Sequence, residues 1–282
     1  MKFTKYQGCG NDYLFVDLTG GKSLREPEEC ARRISDRRFG VGSDGLILVV
    51  DAPAGSGADA GMVMYNADGS RSEMCGNGFR GLCKLVYERG LVKKESLRIH
   101  TDAGVLPARI HLEHGRVATV TVEMGVPGLN RSDLPMEGPS GPAIETRIRA
   151  AGHEMVGTAV SMGNPHFVMF IDGDVDEFPV EEVGPAIETH PLFPKRVNAE
   201  FVQVIGPGEV RQRTWERGSG ETLACGTGAS AVCVAGIVTD RLESPVTVHL
   251  RGGDLHIGWE GKGKSVLMTG PTVEVFSGEF PW

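Results

Sequence analysis

Short apolar runs, broken by glycine-rich polar turns, set the pattern of this chain. Residues 3–6 and 14–18 read as two strands of a hairpin, joined through Gln7-Gly8-Cys9-Gly10-Asn11-Asp12. Glycine permits positive φ and close backbone approach in such a turn. Asn11 is there either as a turn former or as a ligand for something small. Glu26-Pro27-Glu28-Glu29 marks a helix start, with proline in the first turn and acids near its positive end. The helix is predicted to run to about Arg38 and to stop before Gly40. Residues 46–50 and 60–66 are strands on either side of an exposed tip at 51–59, and Ala67-Asp68-Gly69-Ser70 turns sharply. A second helix begins near Asn77, runs to about Arg89 and is closed by Gly90. Three strands follow at 97–101, 105–112 and 117–124. Residues 125–152 lose their periodicity and carry four prolines, so they read as the handover between two domains.

The second half restates the first. Residues 155–161 resemble the opening strand. Gly163-Asn164-Pro165-His166-Phe167-Val168 stands where Gly10-Asn11-Asp12-Tyr13-Leu14-Phe15 stood. A short helix ends at 187–190, and 201–205 and 210–215 are strands. The longest uncharged stretch, 222–239, is rich in Gly, Ser, Thr and Cys and reads as a buried helix rather than a membrane span. Strand 246–250 with Gly253 answers 97–101 with Gly104, and 265–270 answers 117–125. The echo is strongest between Met74-Cys75-Gly76-Asn77-Gly78 and Ala224-Cys225-Gly226-Thr227-Gly228. Each sets a cysteine before a Gly-polar-Gly turn and an apolar run. Cys83 follows Cys75, and Cys233 follows Cys225, by the same eight-residue step. Asn66 and Glu216 each lie nine residues before their cysteine. The reading is a duplicated mixed α+β fold of two pseudo-symmetric domains facing each other. The first is 1–125, completed by the leftover strand at 273–276 within 271–282; the second is 126–270.

Composition narrows the class. At 282 residues the chain suits two domains of about 140 each. With 40% hydrophobic and 23% charged residues it reads as an ordinary soluble protein. Its net charge of -8 argues against nucleic acid or an acidic membrane as partner. The opening residues lack the apolar stretch of a signal peptide. Six cysteines in a chain this long need not be disulfides, and no CxxC spacing suggests zinc or a redox dithiol. Cys83 and Cys233, inside apolar helical patterns, read as small buried hydrophobes.

The paired turns carry the chemistry. A helix start leaves backbone N–H groups free, and with the partial positive charge there they favour an anion. They can hold a carboxylate and also lower a cysteine pKa below about 8.5. Two such turns on one small molecule would flank it with two thiols. That arrangement suits inversion of a carbon bearing an acidifiable hydrogen, with one thiolate removing a proton from one face and one thiol delivering a proton to the other. Donors on the carboxylate would stabilise the enediolate-like charge. The histidines are scattered, and HExxH, Walker A and GxGxxG patterns are absent. A pyridoxal-phosphate lysine stays open on pattern alone, although no lysine sits in either turn.

These residues also resemble a known family. Asn66-Ala67-Asp68-Gly69-Ser70 leading to Met74-Cys75-Gly76-Asn77-Gly78-Phe79-Arg80 is similar to the first catalytic motif of diaminopimelate epimerases. The stretch from Glu216-Arg217 to Cys225-Gly226-Thr227-Gly228-Ala229 is similar to the second. Gly10-Asn11-Asp12, the Phe39–Gly45 segment, Gly163-Asn164-Pro165-His166 and Arg196-Val197-Asn198-Ala199-Glu200-Phe201 match as well, so the resemblance spans nearly the whole chain. It implies two domains, each a barrel-like, mainly antiparallel sheet around a central helix. It implies cofactor-free interconversion of LL- and meso-diaminopimelate, on the route to lysine and peptidoglycan precursors, in a cytoplasmic homodimer without PLP or metal. By motif match Cys75 and Cys225 are the acid/base pair. Gly76, Asn77, Gly226 and Thr227 hold the reacting carboxylate. Asn11, Asn66, Asn164, Asn198 and Arg217 grip the substrate, largely at its distal end. Glu216 takes an ammonium and, with His166, helps to set thiol protonation. An Arg grips a carboxylate in a bidentate fashion and a Glu suits an ammonium, which agrees with a substrate that has an amino acid at each end. One departure is Gly45, where many members carry glutamine.

Rivals differ in stated features. Proline or hydroxyproline racemases share Cys225-Gly226-Thr227-Gly228 but typically have His where this chain has Asn77, and a proline-like substrate would leave Glu216 and Arg217 unpaired. Phenazine-biosynthesis-like isomerases lack the cysteine pair. A non-catalytic binding protein, or a redox sensor closing Cys75–Cys225, stands outside the enzyme class.

Overall fold

Alternating apolar residues make β1 (Lys2–Gly8) and β2 (Asn11–Asp17) an antiparallel pair, with Cys9 and Gly10 at positive φ in the turn between them. The computed structural model describes residues 1–282. Helix α1 (Pro27–Ser35) opens with the proline. It ends earlier than its sequence suggests. The Asp36 carboxylate accepts the N–H groups of Arg38 and Phe39 at 2.7 and 2.8 Å, and this side-chain turn competes successfully with helix extension.

From there the chain adds β3 (Gly45–Val50) parallel to β2, then β4 (Ala60–Asn66) antiparallel to β3. Short β5 (Arg71–Ser72) folds back on β4 and delivers the chain into α2 (Gly76–Glu88). Strand β6 (Ser96–Thr101) lies parallel to β4, and β7 (Gly104–Glu113) and β8 (Arg116–Glu123) continue as an antiparallel meander.

The second unit repeats this scheme pairing by pairing. It opens with β9 (Thr146–Ala150), antiparallel to β10 (His153–Ser161). Strand β11 (Pro165–Phe170) is antiparallel to β10. After α3 (Val180–Glu188), β12 (Asn198–Gly206) is parallel to β11. Strands β13 (Glu209–Glu216) and β14 (Gly220–Thr222) form the hairpin that leads into α4 (Gly226–Val238). Strand β15 (Val246–Leu250) is parallel to β13, and β16 (Gly253–Gly258) is antiparallel to β15. After β17 (Leu267–Pro271), β18 (Val273–Glu279) pairs with β1, the position that β9 holds beside β10. The compact units are Met1–Glu123 with Thr269–Trp282, and Met124–Met268.

Strand β9 corrects the reading of 125–152 as irregular throughout. Its sequence alternates Arg147 and Arg149, exposed, with Ile148 and Ala150, buried. A two-residue period this short was hidden among the prolines. In each unit the helix after the cysteine is the core. Strands β8, β1, β2, β4 and β7 pack on α2, and β10, β16, β11 and β12 pack on α4. Phe79, Leu82, Cys83, Leu85 and Val86 are wholly buried in α2, as are Ala229, Val232, Cys233 and Ala235 in α4. A helix covered on several sides favours apolar residues on all of them, which explains the uncharged run at 222–239; α2 departs from this at the buried Arg80 and Lys84.

Gly45 is fixed by contact rather than by φ. A Cβ there would fall on the Tyr65 carbonyl oxygen and lie 3.1 Å from Cε1 of Tyr13. Gly45→Ala is therefore expected to cost about 1–3 kcal/mol, the usual range for overpacking. Urea denaturation measures this, and an unchanged midpoint would show that the backbone yields freely.

Candidate active site

Each of the two units presents a cysteine as the N-cap of its central helix. Cys75 has φ −134° and ψ 127°, and Cys225 has φ −131° and ψ 110°. This extended conformation turns the chain from a hairpin into the helix. The first intrahelical bonds run from Phe79 N–H to Cys75 C=O and from Ala229 N–H to Cys225 C=O, at 2.8 and 2.9 Å. The amides of Gly76, Asn77 and Gly78, and of Gly226, Thr227 and Gly228, precede them and have no intrahelical acceptor.

Around Cys75 the partners are mostly amides. Cys75 Sγ donates to Asn11 Oδ1 at 3.5 Å, and Asn77 Nδ2 donates to the same oxygen at 3.2 Å. Asn11 Nδ2 donates to Asp44 Oδ2 at 2.6 Å. Asp44 in turn pairs with Arg37, which also binds Asp12. The Arg37 and Lys5 cations hold the Asp12 carboxyl below its ordinary range against the cost of burial. Tyr13 lies two residues along β2 from Asn11 and so on the same face. Burial, with the negative charge available at Cys75, pushes its phenol far up.

Around Cys225 the partners are acids. Cys225 Sγ donates to Glu216 Oε2 at 3.4 Å and lies 3.5 Å from Thr227 Oγ1. Thr222 Oγ1 donates to Glu216 Oε1 at 2.7 Å. Glu200, wholly buried, lies beneath the first turn of α4: a Cβ on Gly228 would come within 2.7 Å of its Oε1. It is held by His166 Nδ1 at 2.7 Å, Gln212 Nε2 at 2.7 Å and Thr214 Oγ1 at 2.6 Å. His166 Nε2 meets Asn164 Oδ1 at 3.0 Å, and Asn164 Nδ2 donates to Thr227 at 3.3 Å. Burial, then the charges of Glu216 and Glu200, push the Cys225 thiol well above its ordinary value; the Thr227 hydroxyl and Gly228 amide oppose them. Burial also raises the Glu216 carboxyl, and the charge of Glu200 adds to it.

The remaining candidates sit close by in sequence but are engaged elsewhere. Asn66 closes its turn by donating to Ser70 Oγ at 3.0 Å. Asn198 donates to Pro165 C=O and accepts the Arg217 N–H, both at 2.8 Å. Arg217 is exposed, with one donor on the Lys195 carbonyl. No glutamine-like side chain stands at Gly45; the Tyr13 ring and Tyr65 carbonyl border that point. Sequence reasoning missed Tyr13, Asp44, Arg80, Glu200 and Gln212 as members of these networks. Glu200 left a signal, since a carboxylate inside the apolar run of β12 must find partners.

Comparison with known proteins places this geometry. The sequence model of diaminopimelate epimerase matches residues 3–129 and 158–275. The diaminopimelate epimerase of Pelotomaculum thermopropionicum is 50% identical over 285 residues, covering 100% of this chain and 99% of that protein. The chain belongs to the diaminopimelate epimerase family. The family's enzyme from Moorella thermoacetica is also 50% identical, over 281 residues, covering 100% of this chain and 99% of its own length. Solved structures share the fold at low identity. A Bacillus anthracis phenazine biosynthesis protein of the PhzF family gives a TM-score of 0.70 at 17% identity, covering 100% of this chain and 99% of its own. A probable proline racemase from Agrobacterium radiobacter gives 0.68 at 16%, covering 99% and 92%. The two-unit α+β architecture is thus that of the epimerase family's wider fold.

Glu216→Gln removes the carboxylate charge beside the Cys225 sulfur. Stabilising the thiolate in this way lowers the midpoint of Cys225 alkylation against pH. Peptide-resolved iodoacetamide labelling across pH measures it. An unmoved midpoint would show that the Glu216 charge does not help to set the thiol.

Proposed function

We propose that this chain interconverts LL- and meso-diaminopimelate, with Cys75 and Cys225 as the two acid–base groups. The observation that carries the reading is the same device in each repeat: a cysteine at the N-cap of a buried helix, with free amides beside it. The family membership supplies the substrate. Diaminopimelate epimerases from two organisms match the chain end to end at 50% identity.

The α-hydrogen of an amino acid is weakly acidic, so the charge released on its removal has to be held. In this reading the first-turn amides of Gly76, Asn77, Gly226 and Thr227 hold the reacting carboxylate, where that charge develops. Burial, reinforced by the charges of Glu216 and Glu200, favours the protonated form of Cys225, which makes it the proton donor. Proton removal then falls to Cys75, and the roles exchange in the reverse direction. Asn11, Asn66, Asn164, Asn198 and Arg217 are assigned to the distal amino-acid end, with Glu216 on an ammonium and His166 steadying Asn164. Asn11, Asn77 and Asn164 exchange their present side-chain partners for substrate at little cost, because an amide both donates and accepts. The chemistry asks for no cofactor.

We also propose a cytoplasmic homodimer. No helix is long and apolar enough to cross a membrane. Val273, Val275 and Phe276 stand exposed along β18, the kind of apolar surface that a partner covers. Sedimentation equilibrium returning a monomer at micromolar concentration would remove the dimer.

Reduced protein incubated with LL-diaminopimelate in deuterated water is expected to place deuterium on the inverted carbon. Cys75→Ala and Cys225→Ala each lower turnover by about 10²–10⁴-fold, the usual contribution of an acid or base. Absence of exchange and inversion in the fully reduced wild type would sink the assignment. Parallel incubations with L-proline and 4-hydroxyproline separate the related racemases.

A further inference from the structure

Arg80 lies one helical turn beyond Cys75 on α2, and it is wholly buried. Its Nη2 donates to Asn77 Oδ1 at 2.6 Å and its Nε donates to the Pro271 carbonyl at 3.1 Å, while Nη1 has no partner. Burial opposes its charge, and the groups that favour it are the thiols of Cys9, Cys75 and Cys83; no Asp or Glu is among them. Cys83 stays neutral, because burial pushes its thiol far up.

Other buried charges are compensated. Glu200 has His166, Gln212 and Thr214. Lys84 has Glu88 and the Val117 carbonyl. Asp12 has Lys5 and Arg37. An arginine kept only for packing would show the same completeness, since a buried charge without a counter-ion is costly. Arg80 has its Nη1 nitrogen unpaired and no carboxylate.

Its contacts show where the charge acts. Arg80 holds Asn77 Oδ1, which turns Asn77 Nδ2 toward Asn11. At the other end Asp44 takes Asn11 Nδ2, which turns Asn11 Oδ1 toward Cys75. A cation and an anion thus fix the orientation of two amides between them. The cation also sits under a helix N-terminus that already favours anions.

We propose that Arg80 is a positioning residue of the Cys75 site: its guanidinium pins the Asn77 carboxamide and supplies the fixed positive charge that draws a carboxylate to the first turn of α2. Naming that carboxylate as the reacting end of diaminopimelate rests on the proposed function; the anion preference does not.

Two alkylating probes of similar size separate charge from structure. Iodoacetate is an anion and iodoacetamide is neutral, and the labelling of Cys75 by each in reduced protein is resolved by peptide mass spectrometry. The iodoacetate-to-iodoacetamide rate ratio at Cys75 is expected to fall at least about fivefold in Arg80→Met and to be retained in Arg80→Lys. In the same proteins kcat/KM for LL-diaminopimelate falls at least about tenfold in Arg80→Met and is partly rescued by lysine. Should the methionine variant not fold, Arg80→Gln takes its place with the same expectation. An unchanged ratio in the neutral variant overturns the proposal, whatever happens to Tm, and marks Arg80 as structural. If the wild type does not turn over diaminopimelate while the ratio still depends on Arg80, the substrate reading fails and the anion site stands.

Discussion

A helix wrapped by strands has to bury its sides and leaves its half-buried first turn to find partners of its own, and this constraint organises both units. The sides of α4 meet the requirement with small apolar residues, a serine and cysteine, and those of α2 with apolar residues and cysteine together with the buried Arg80 and Lys84. The N-terminal amides cannot, because the first turn has no carbonyl to bind. A chain that only needed stability would cap them with Ser, Thr, Asp or Asn. Here the N-cap is a cysteine in each unit, whose sulfur is a weaker acceptor for the amides than the oxygen of a usual cap. The free donors stay available, and a thiol stands beside them. The glycines that follow keep the first turn thin enough for a ligand to approach the backbone.

The repeats share this backbone device and differ in what surrounds it. Cys75 is met by amides whose orientation is set by Asp44 and Arg80 at the two ends. Cys225 is met by Glu216, with Glu200 beneath the turn. The pairing scheme of the strands is the same in both, so the divergence lies in side chains alone. A two-base inversion needs one proton present and one absent at the start. In the proposed mechanism, unlike surroundings for two like thiols are a direct way to favour that.

Much of this was legible in the sequence because glycine and cysteine leave sharp marks. The spacing from Cys75 to Cys83 and from Cys225 to Cys233 exposed the repeat, and the uncharged run after Glu221 exposed a helix covered on all sides. Strand β9 was hidden, because five residues carry too few periods to stand out beside four prolines. The end of α1 was hidden for another reason: a side-chain turn at Asp36 competes locally with the helix, and propensity does not show the outcome. The bonds that Asn66 and Asn198 make, to Ser70, Pro165 and Arg217, were not visible in the sequence. Residue type alone does not separate a turn-closing asparagine from a free one.

The least legible feature was the wiring of polar groups between strands. Glu200, His166 and Gln212 lie far apart in the chain, and they meet because β11, β12 and β13 lie side by side. The parallel register sets His166 against Asn198 and Val168 against Glu200, so the ring reaches the carboxylate diagonally. Such a buried network stabilises little in itself, since desolvation offsets most of its attraction. What it does is orient. Glu200 fixes one face of the His166 ring, and the other face can then serve only Asn164, and through it Thr227 at the start of α4. Precision at the helix start is thus transmitted from a charge that solvent never reaches. A substitution at Glu200 would therefore reach the first turn of α4 both from beneath Gly228 and through His166 and Asn164.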